Sequence, residues 1–364
     1  MKILLVGGGS GGPVVPLIAV YKEMVRQFAG VKCFLVGTKT GPERLIAKSY
    51  NLPFFHIQCG KYRRYFSIKN FFAPFLTLMG FFQALKLLRT LKPDCIVGAG
   101  SFVQVPVVWA GWCLNIPTVI HQQDIVPSLA NKLCEIFATR ITVCFETSLS
   151  DFSGHFGLLY KKQSKSKVEL TGNPFVTDLN SGDRQSAIRN LGLRADMPVM
   201  LVLGGGTGSE FINQLILKQL PEFLKIIQII HITGQGKQSE HIKSPSYLQY
   251  EFLPNMRDAY WASDIVVSRA GLSTLTELSN LGKLSIIIPM PNTHQEYNAK
   301  LLKAFGAALV FNQNAITSEH LLKVVKKLLF DLSTQELIKK HISEIMPRNS
   351  ASKIVKIIKD LVNE

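Results

Sequence analysis

The sequence of 364 residues is poor in cysteine and has no paired cysteine spacing. Its 6 cysteines include no Cys-x-x-Cys pair, which disfavours a zinc site and a disulfide framework. Cys33, Cys95 and Cys144 lie in short apolar runs, where a thiol behaves as a small buried hydrophobe. We therefore expect free thiols and a reducing compartment.

Long hydrophobic runs are also lacking. Ile3–Val6 ends at a glycine and is shorter than the roughly 7–15 apolar residues of a signal peptide. The longest apolar stretch, Asn70–Leu88, contains Pro74, Gln83 and Lys86, so its uninterrupted part falls short of the roughly 20 residues of a transmembrane helix. The pattern favours a helix that lies on a membrane over one that crosses it.

Acidic residues are scarce beside basic ones. The 25 Asp and Glu against 41 Lys and Arg give a formal net charge of +16, which attracts anionic partners. There is no RNP-type motif and no Cys/His zinc spacing, so we expect no nucleic-acid partner. The expected anion is a diphosphate or a membrane surface. The mean hydropathy of +0.18 indicates buried parallel strands, exposed apolar surface, or both.

What the sequence does contain is an alternation of short apolar runs with amphipathic segments. In the first half, the predicted strands are Lys2–Gly7, Val31–Val36, Phe54–Gln58, Asp94–Gly98, Thr118–His121 and Arg140–Cys144. In the second half, they are Pro198–Leu203, Ile226–Ile230, Ile265–Ser268 and Leu284–Pro289. Helical stretches such as Val15–Phe28 and Glu210–Leu220 lie between most of them. This alternation predicts an α/β protein with parallel sheets and helices on both faces.

The pattern pauses once and then restarts, which indicates two domains. The polar, turn-rich segment Asn180–Arg184 suits an interdomain connection. We predict an N-terminal domain over residues 1–176 and a C-terminal domain over residues 177–345. Residues 346–364 are predicted to form a helix that packs back towards the N-terminal domain.

Both halves open with a glycine loop after their first strand, Gly8–Gly12 and Gly204–Gly208. Amides in such a loop can approach a phosphate at the positive end of a helix dipole, while the structural alternative is tight packing of strand on helix. Neither loop is followed by the Gly-Lys-Ser/Thr of a P-loop. Val31–Gly37 has no acidic residue for a dinucleotide ribose, so NAD binding is disfavoured.

A third loop, after the strand that ends at Ser268, favours a nucleotide site. Its small residues would expose the first amides of a helix to a diphosphate, and Glu277, one turn in, could receive the hydroxyls of a ribose. The alternative is a capping arrangement, with Ser273 or Thr274 as N-cap and Glu277 folded back on it.

Polar residues also follow the next strand, in Pro291–Asn298. The carboxyl ends of strands are the usual place for ligand contacts in an open α/β sheet. His294 beside Gln295 could bind sugar hydroxyls, although a lone histidine is more often structural.

In their order and spacing, these motifs resemble the MurG family, which adds N-acetylglucosamine (GlcNAc) to the lipid-linked muramyl-peptide precursor of peptidoglycan. The matching segments are Gly8–Pro16, Gly98–Pro106, His121–Lys132, Gly172–Pro174, Gly204–Gln214, Glu251–Met256, Ser268–Glu277 and His294–Ala299. The resemblance implies the GT-B fold, two Rossmann-like domains whose parallel sheets face a central cleft. It implies that the N-terminal domain, residues 1–176, binds acceptor and membrane and that the C-terminal domain, residues 177–345, binds the UDP-sugar. It also implies UDP-GlcNAc as donor, a lipid-linked acceptor, inversion at the anomeric carbon, no cofactor and no metal at the donor site.

The resemblance further implies the residues that contact UDP-GlcNAc. They are Ser10, Gly11, Gly12, Asp124, Gly206, Leu253, Leu272, Ser273, Thr274, Leu275, Thr276, Glu277, His294 and Gln295. Leu253 would back the uracil, the amides of Leu272–Thr276 would hold the diphosphate, and Glu277 would bind the ribose. Gln295 would contact the GlcNAc. The helix N-termini at Gly208 and Leu272, with Arg269, are expected to stabilise the charge of the departing UDP.

The sequence departs from the family pattern at several positions. Pro13 replaces the histidine often proposed as catalytic base, and Val176 replaces an expected arginine. Gly206 replaces a serine of the family, and Asp124 replaces an asparagine that contacts the donor. We therefore expect Asp124 or His121 to be the catalytic base, with the alternative that His121 only orients its loop.

Residues 61–82 combine cations with aromatic and aliphatic side chains. We predict that they contact an anionic membrane surface, which would make the protein peripheral on the cytoplasmic face of the cell membrane. The alternative is a loop followed by a buried core helix. Three other functions stay open: another GT-B glycolipid glycosyltransferase, a nucleotide-sugar 2-epimerase, and a catalytically impaired membrane-bound homologue.

Overall fold

The computed structural model describes residues 1–9, 12–60, 68–152, 167–175, 179, 181–206, 208–238, 242, 244–253 and 255–363, with residues 68 and 69 as backbone alone. The chain divides into two compact units. One comprises Met1–Val176 with Pro347–Glu364, and the other Thr177–Met346.

Each unit is built on one parallel sheet. The strands of the first unit are β1 (Lys2–Val6), β2 (Lys32–Gly37), β3 (Phe54–His56), β4 (Cys95–Gly98), β5 (Thr118–Gln122), β6 (Arg140–Val143) and β7 (Val168–Leu170). Those of the second are β8 (Val199–Leu203), β9 (Gln228–Ile232), β10 (Tyr247–Tyr250), β11 (Ile265–Ser268), β12 (Ser285–Ile287) and β13 (Leu309–Val310). The spatial orders are β3-β2-β1-β4-β5-β6-β7 and β10-β9-β8-β11-β12-β13.

Helices cover both faces of each sheet. In the first unit they are α1 (Val15–Gln27), α2 (Glu43–Ser49), α3 (Ile68–Leu91), α4 (Gln104–Cys113) and α5 (Leu129–Cys134), with a 3-10 helix over Glu146–Phe152. In the second unit they are α6 (Arg184–Leu191), α7 (Glu210–Leu217), α8 (Leu220–Leu224), α9 (Arg257–Ala262), α10 (Leu272–Leu281), α11 (Gln295–Ala304), α12 (Ser318–Phe330) and α13 (Leu332–Glu344). The C-terminal helix α14 (Ser350–Asn363) belongs to the first unit.

The first strand, β1, is apolar at every position after Lys2 because both of its faces are covered. Ile3 and Leu5 belong to the core formed with α1 and α14, whereas Leu4 and Val6 belong to the core formed with α3 and α4. Successive side chains of a strand point to opposite faces, so a strand covered on both faces must be apolar throughout. The predicted parallel α/β architecture is confirmed.

Both sheets reverse their strand order at a central strand, which makes both units doubly wound. The switch point lies between β1 and β4 in the first unit and between β8 and β11 in the second. Ligands of such sheets bind at the carboxyl ends of the strands beside the switch point. The glycine loops after β1 and β8 lie at these two positions.

The ten predicted strands are confirmed to within two residues at each end. The three unpredicted strands, β7, β10 and β13, are all edge strands with one neighbour. β7 and β10 contain polar residues, and β13 is only two residues long, although it lies in the apolar run over 307–311. The predicted helix Glu210–Leu220 was too long, since α7 ends at Leu217 and Pro221 stands in the first turn of α8. The predicted connection Asn180–Arg184 ends where α6 begins. Asp183 is the N-cap of α6, and its carboxylate accepts a hydrogen bond from Ser186 N at 2.8 Å.

Candidate functional site

In the second unit, the loops after β8, β11 and β12 meet at one edge of the sheet. These strands are neighbours, and Ser268 on β11 pairs with both Leu203 on β8 and Ile287 on β12. The carboxyl ends of parallel neighbours lie side by side, so residues 204–206, 208–209, 269–271 and 288–294 surround the switch point. The glycine loop, the small-residue loop and the polar cluster are therefore brought together.

The N-terminus of α10 has no side-chain cap. Gly271 is the N-cap, with φ −71° and ψ 135°, and no side chain accepts from the first turn. Ser273 and Thr274 lie inside that turn, so the predicted alternative of a capping arrangement is wrong. Leu275 N donates to Gly271 O at 3.0 Å, which leaves the amides before it without intrahelical partners. These amides and the positive end of the helix dipole suit an anion.

The set of free amides at the start of α10 is narrower than the predicted Leu272–Thr276. The amide of Leu275 is used within the helix, and its side chain is 1% exposed. The hydroxyl of Thr276 donates to Leu272 O at 2.8 Å, and this side chain is also buried. Leu272, Ser273 and Thr274 are the residues of this helix that present free amides.

The N-terminus of α7, in contrast to that of α10, has a side-chain cap and a nearby acidic residue. Ser209 is its N-cap, with Oγ accepting from Ile212 N at 3.3 Å, and Glu210 places an acid in the first turn. An acid in the first turn and a serine cap satisfy the end of a helix that would otherwise attract an anion. The α10 end, rather than the α7 end expected at Gly208, is therefore the better anion site.

Glu277 lies one turn into α10, partly buried against α9. Its Oε2 accepts a hydrogen bond from the hydroxyl of Tyr260, and no described residue donates to its Oε1. Burial raises the pKa of Glu277 to about 7, although the hydrogen bond from Tyr260 acts in the opposite direction. Burial and the neighbouring carboxylate raise the pKa of Tyr260 well above its ordinary value. One carboxylate oxygen is therefore fixed and the other is available to a ligand.

The polar cluster after β12 is held by its own backbone. Gln295 Oε1 accepts from Met290 N at 3.0 Å, while no described residue partners its side-chain amide nitrogen. His294 is exposed and stands at the N-cap of α11, where its side chain makes no capping bond. Asn298, which sequence reasoning gave no role, is buried and donates to Ala270 O at 3.0 Å, with no hydrogen bond to its Oδ1. It ties α11 to the loop that precedes α10.

The role expected of Arg269, stabilising the leaving group, stays a prediction; the structure shows a side chain whose Nε and Nη1 already have partners. Its guanidinium is buried and donates to Ser209 Oγ, Ile288 O and Pro289 O, each at 3.1 Å. Burial lowers its pKa. The side chain joins the three loops that follow β8, β11 and β12.

The remaining donor contacts predicted for the second unit, Leu253 and Gly206, follow strands of the same sheet. Leu253 is partly exposed and follows β10, two strands away from β8. Gly206 is exposed, and an added Cβ would meet no heavy atom within 4 Å, so sterics do not require glycine there. Thr207 lies outside the described residues.

In the first unit, Glu43 organises the loop after β1. Its buried carboxylate accepts through Oε1 from Gly9 N at 3.2 Å and from Thr38 N at 2.6 Å. Gly9 has a φ of +81°, a conformation that glycine adopts without strain. Sequence reasoning missed Glu43, although a lone acid beside the glycine at 41 was a signal. Ser10 and Gly11 lie outside the described residues, and Gly12 is exposed.

The two candidate bases differ in their surroundings. His121 is buried, with Nδ1 at 2.8 Å from Thr142 Oγ1 and Nε2 at 3.1 Å from Asn173 Oδ1. Burial lowers the pKa of His121 to about 4, so its ring is neutral near pH 7. Asp124 is partly buried and follows β5, and no described residue donates to its carboxylate. This geometry favours an orienting role for His121 and leaves Asp124 free.

The end of β5, which precedes Asp124, is not next to the glycine loop that follows β1. β5 pairs with β4, and β4 separates it from β1. Two bonds bridge the gap: Gln123 Nε2 donates to Ala99 O at 2.9 Å, and Ser101 Oγ donates to Gly8 O at 2.9 Å. The loop after β4 thus connects Asp124 to the loop after β1.

Helix α3 exposes large apolar side chains. Its most buried residues are Ala73, Gly80, Ala84 and Leu88. The exposed residues are Phe71, Phe72, Phe75, Leu78, Met79 and Phe82. By length and composition, 70–91 is the one described helix that could cross a membrane. The exposed residues argue against the alternative of a fully buried core helix. Residues 61–67 and the side chain of residue 69 lie outside the described part.

Other features bear on the class of protein. The 6 cysteines are all free thiols, and Cys113 is exposed. Among the described residues, no group of three or more His, Cys, Asp or Glu side chains is placed to hold a metal ion. Val176, at the position of the expected arginine, lies outside the described residues.

Comparisons with known proteins agree with this geometry. The model of the glycosyltransferase family 28 N-terminal domain matches residues 3–143, and that of the family 28 C-terminal domain matches residues 199–359. A protein of Lachnospira eligens named UDP-N-acetylglucosamine--N-acetylmuramyl-(pentapeptide) pyrophosphoryl-undecaprenol N-acetylglucosamine transferase is 36% identical, over 99% of each chain.

Solved structures show the same fold. The crystal structure of Acinetobacter baumannii MurG aligns with a TM-score of 0.72 and 25% identity, over 99% of this chain and 100% of that one. The UDP-GlcNAc 2-epimerase of Neisseria meningitidis aligns with a TM-score of 0.68 and 15% identity, over 99% and 100% of the two chains, a likeness of fold alone. From the two doubly wound units, the ordered motifs and the nearly full-length match, the chain belongs to glycosyltransferase family 28 and, within it, to the MurG family of N-acetylglucosamine transferases with the GT-B fold.

Proposed function

We propose that this enzyme transfers GlcNAc from UDP-GlcNAc to a lipid-linked N-acetylmuramyl-pentapeptide, with inversion at the anomeric carbon. The observation that carries the proposal is the uncapped N-terminus of α10 with the Glu277 carboxylate one turn away. A diphosphate and a ribose are the parts of a nucleotide sugar that such an arrangement recognises. The name of the Lachnospira eligens relative supports the same donor and acceptor.

The donor is held at the edge formed by β8, β11 and β12. The amides of Leu272, Ser273 and Thr274 bind the diphosphate, and Glu277 Oε1 accepts from the ribose hydroxyls. The side-chain amide of Gln295 donates to the GlcNAc, because its carbonyl is already used by Met290 N. Leu253 backs the uracil, and Gly206 and His294 border the sugar.

The departing UDP gains negative charge as the glycosidic bond breaks. The positive end of α10 points its free amides at the position of that charge, and a fixed dipole needs no reorganisation during the reaction. The chain's own backbone thereby supplies the stabilisation that other transferases take from a metal ion.

Asp124 is proposed as the base. Its carboxylate takes the proton of the acceptor hydroxyl as that oxygen attacks the anomeric carbon, on the side opposite to UDP. The bond to UDP breaks, and its electron pair leaves with UDP. Because the attack comes from the opposite side, the anomeric configuration inverts. Pro13 carries no group that can accept a proton, and His121 fixes the end of β5 through its bonds to Thr142 and Asn173.

The enzyme is proposed to rest on the cytoplasmic face of the membrane through residues 61–82. Phe71 is 84% exposed and Phe75 62% exposed, and neither is covered by the described protein. Exposed apolar patches of this kind mark an interaction surface, and the formal charge of +16 suits anionic lipid. At this surface the enzyme would meet an acceptor that is anchored in the membrane.

A transfer assay tests the proposal. Purified protein is incubated with UDP-GlcNAc and a short-chain lipid-linked muramyl-pentapeptide, and the products are analysed by mass spectrometry. A disaccharide on the lipid supports the proposal. Release of UDP with a rearranged free sugar would support an epimerase instead. If the protein forms neither product, the result would favour the catalytically impaired homologue, because Pro13 stands at the position of the family's histidine.

A further inference from the structure

The first unit contains a large cavity that none of the proposed donor contacts uses. Its volume is about 1080 Å³, and it lies at the carboxyl ends of β2 and β3, against one side of α3. Gly9 and Phe102 line it, which makes it continuous with the loops after β1 and β4. The volume is at the upper end of the roughly 300–1,000 Å³ of small-molecule sites.

The charged side chains that line this cavity are positive, while the Glu43 carboxylate lies behind the lining residues Gly9 and Thr38 and accepts from their amides. Lys39 and Lys86 line the cavity, and no Asp or Glu does. Neither lysine forms an ion pair with a described acidic residue. A second cavity of about 580 Å³ shares Lys39 and adds Arg44 and Lys48. Cations without acidic partners at the wall of a concave site attract and hold an anionic ligand.

The cavity also offers neutral hydrogen-bonding groups. Gln58 and Thr40 line it, and no described residue bonds their side chains. The Gln83 carbonyl accepts from Gln58 N at 2.8 Å, which leaves its amide nitrogen free to donate. An amide side chain both donates and accepts, so it can pair with the N–H and C=O of a peptide. A diphosphate only accepts, and it would fill a small part of this volume.

Helix α3 connects the cavity to the membrane-facing surface. It contributes Leu76 and Lys86 to the wall, and between them in the sequence Leu78, Met79 and Phe82 are exposed. A ligand whose lipid lies in the membrane could therefore place a polar part along the same helix.

We infer that this cavity is a subsite for the peptide of the acceptor, in which Lys39 and Lys86 bind peptide carboxylates. The inference rests on the proposed function, since it takes the lipid-linked muramyl-pentapeptide as the acceptor. Gln58 and Gln83 bind the amides of the same peptide. The site makes affinity for the acceptor depend on its peptide, although the reacting hydroxyl belongs to the sugar.

The test compares a double variant, Lys39→Gln with Lys86→Gln, with a matched control, Lys353→Gln with Lys356→Gln. The control removes the same charge from α14, which packs with α1 on the opposite face of the sheet. Two acceptors are used, the short-chain lipid-linked muramyl-pentapeptide and the same lipid-linked sugar without its peptide. Initial rates give KM and kcat for each.

We expect the cavity variant to raise the KM for the pentapeptide acceptor about tenfold or more, the scale of one lost charge-assisted hydrogen bond. The KM for UDP-GlcNAc, kcat and the KM for the acceptor without peptide should stay as in the control. An unchanged KM for the pentapeptide acceptor would overturn the inference. An equal rise with both acceptors would also overturn it, because the lysines would then bind the lipid diphosphate.

Failure of the proposed function is a separate result. If the wild type forms no disaccharide with either acceptor, calorimetry with free muramyl-pentapeptide still tests the cavity. Binding to the wild type and control that is about tenfold weaker in the cavity variant supports the subsite. Equal binding by all three proteins, or none by the wild type, refutes it.

Discussion

The hydroxyl of Tyr260 donates its hydrogen bond to Oε2 of Glu277, and this contact joins α9 to α10 beside the uncapped helix end. Tyr260 is fully buried, so it fixes the carboxylate in one orientation. The unshared oxygen of Glu277 is thereby prepared for a ligand before any ligand binds.

Glu277→Ala should raise the KM for UDP-GlcNAc at least tenfold. Hydrogen bonds to a charged group contribute about 1.5–3 kcal/mol, and the variant loses those to the ribose. Tyr260→Phe is the matched control, since it keeps the carboxylate and removes only the donor that orients it, so its KM should rise less. Steady-state kinetics measure the KM of each variant, and circular dichroism checks that each variant is folded. A folded Glu277→Ala protein with the wild-type KM would refute ribose binding.

Donor affinity should depend on pH through Glu277. Its pKa of about 7 lies above the ordinary 4.5, so the carboxyl is mostly protonated below neutral pH and ionised above it. An ionised carboxylate is the better acceptor for two hydroxyls, so the Kd for UDP-GlcNAc should decrease from about pH 6 to about pH 8. Calorimetric titration in the absence of acceptor measures this dependence. Glu277→Gln should bind with a pH-independent Kd, and an equally strong pH dependence in that variant would assign the titration to another group.

Asp124→Asn should lower kcat by about 10²–10⁴-fold, the usual contribution of a general base, with little change in UDP affinity. His121→Ala should instead lower the stability of the first unit, because it removes the buried hydrogen bonds of the ring to Thr142 and Asn173, and the loss of a buried partner costs about 1–3 kcal/mol. Single-turnover kinetics and urea unfolding on both variants separate the two roles. Full turnover by Asp124→Asn would place the base elsewhere.

Two buried histidines should make the protein sensitive to acid. Burial lowers the pKa of His121 and of His231 from 6.5 to about 4. The unfolded chain binds these protons at higher pH than the folded one, so the contribution to stability is full above pH 6.5 and is lost as the pH falls towards 4. The loss is about 1.4 kcal/mol per pH unit for each histidine within that window.

The urea midpoint should therefore fall between about pH 7 and about pH 5, in both units, as followed by tryptophan fluorescence. His231→Gln should reduce the pH dependence of the second unit, where the ring bonds Tyr247 and Asn213. A midpoint that stays constant over this range in the wild type would contradict neutral, buried histidines.

Replacing Phe71, Phe72 and Phe75 by serine, with Arg63 and Arg64 changed to glutamate, should release the protein from anionic liposomes. Each cation near an anionic surface contributes about 1 kcal/mol, and inserted aromatic side chains add apolar burial. Phe330→Ser is the control, since Phe330 is 88% exposed but belongs to the second unit. Co-sedimentation at rising salt measures the binding. Should the multiple variant still sediment like the control, residues 61–82 do not form the membrane surface.

The sequence by itself determined the architecture. Uninterrupted apolar runs such as Ile3–Val6 predicted strands covered on both faces, because the side-chain period of a strand leaves no other explanation for them. The motif order, from the first glycine loop to His294 and Gln295, indicated the family. Glu277 was singled out by its position one turn into the helix that follows the strand ending at Ser268.

Only the tertiary structure decided which groups in these motifs are free. Leu275, Thr276 and Arg269 looked like ligand contacts, yet their polar groups are used by Gly271 O, Leu272 O and the loop carbonyls after β12. His121 and Asp124 are three residues apart, but one has two buried partners and the other has none among the described residues. Hydrogen-bond partners come from strands distant in sequence, so whether a polar group is satisfied or available is a property of the packed fold and not of the local chain.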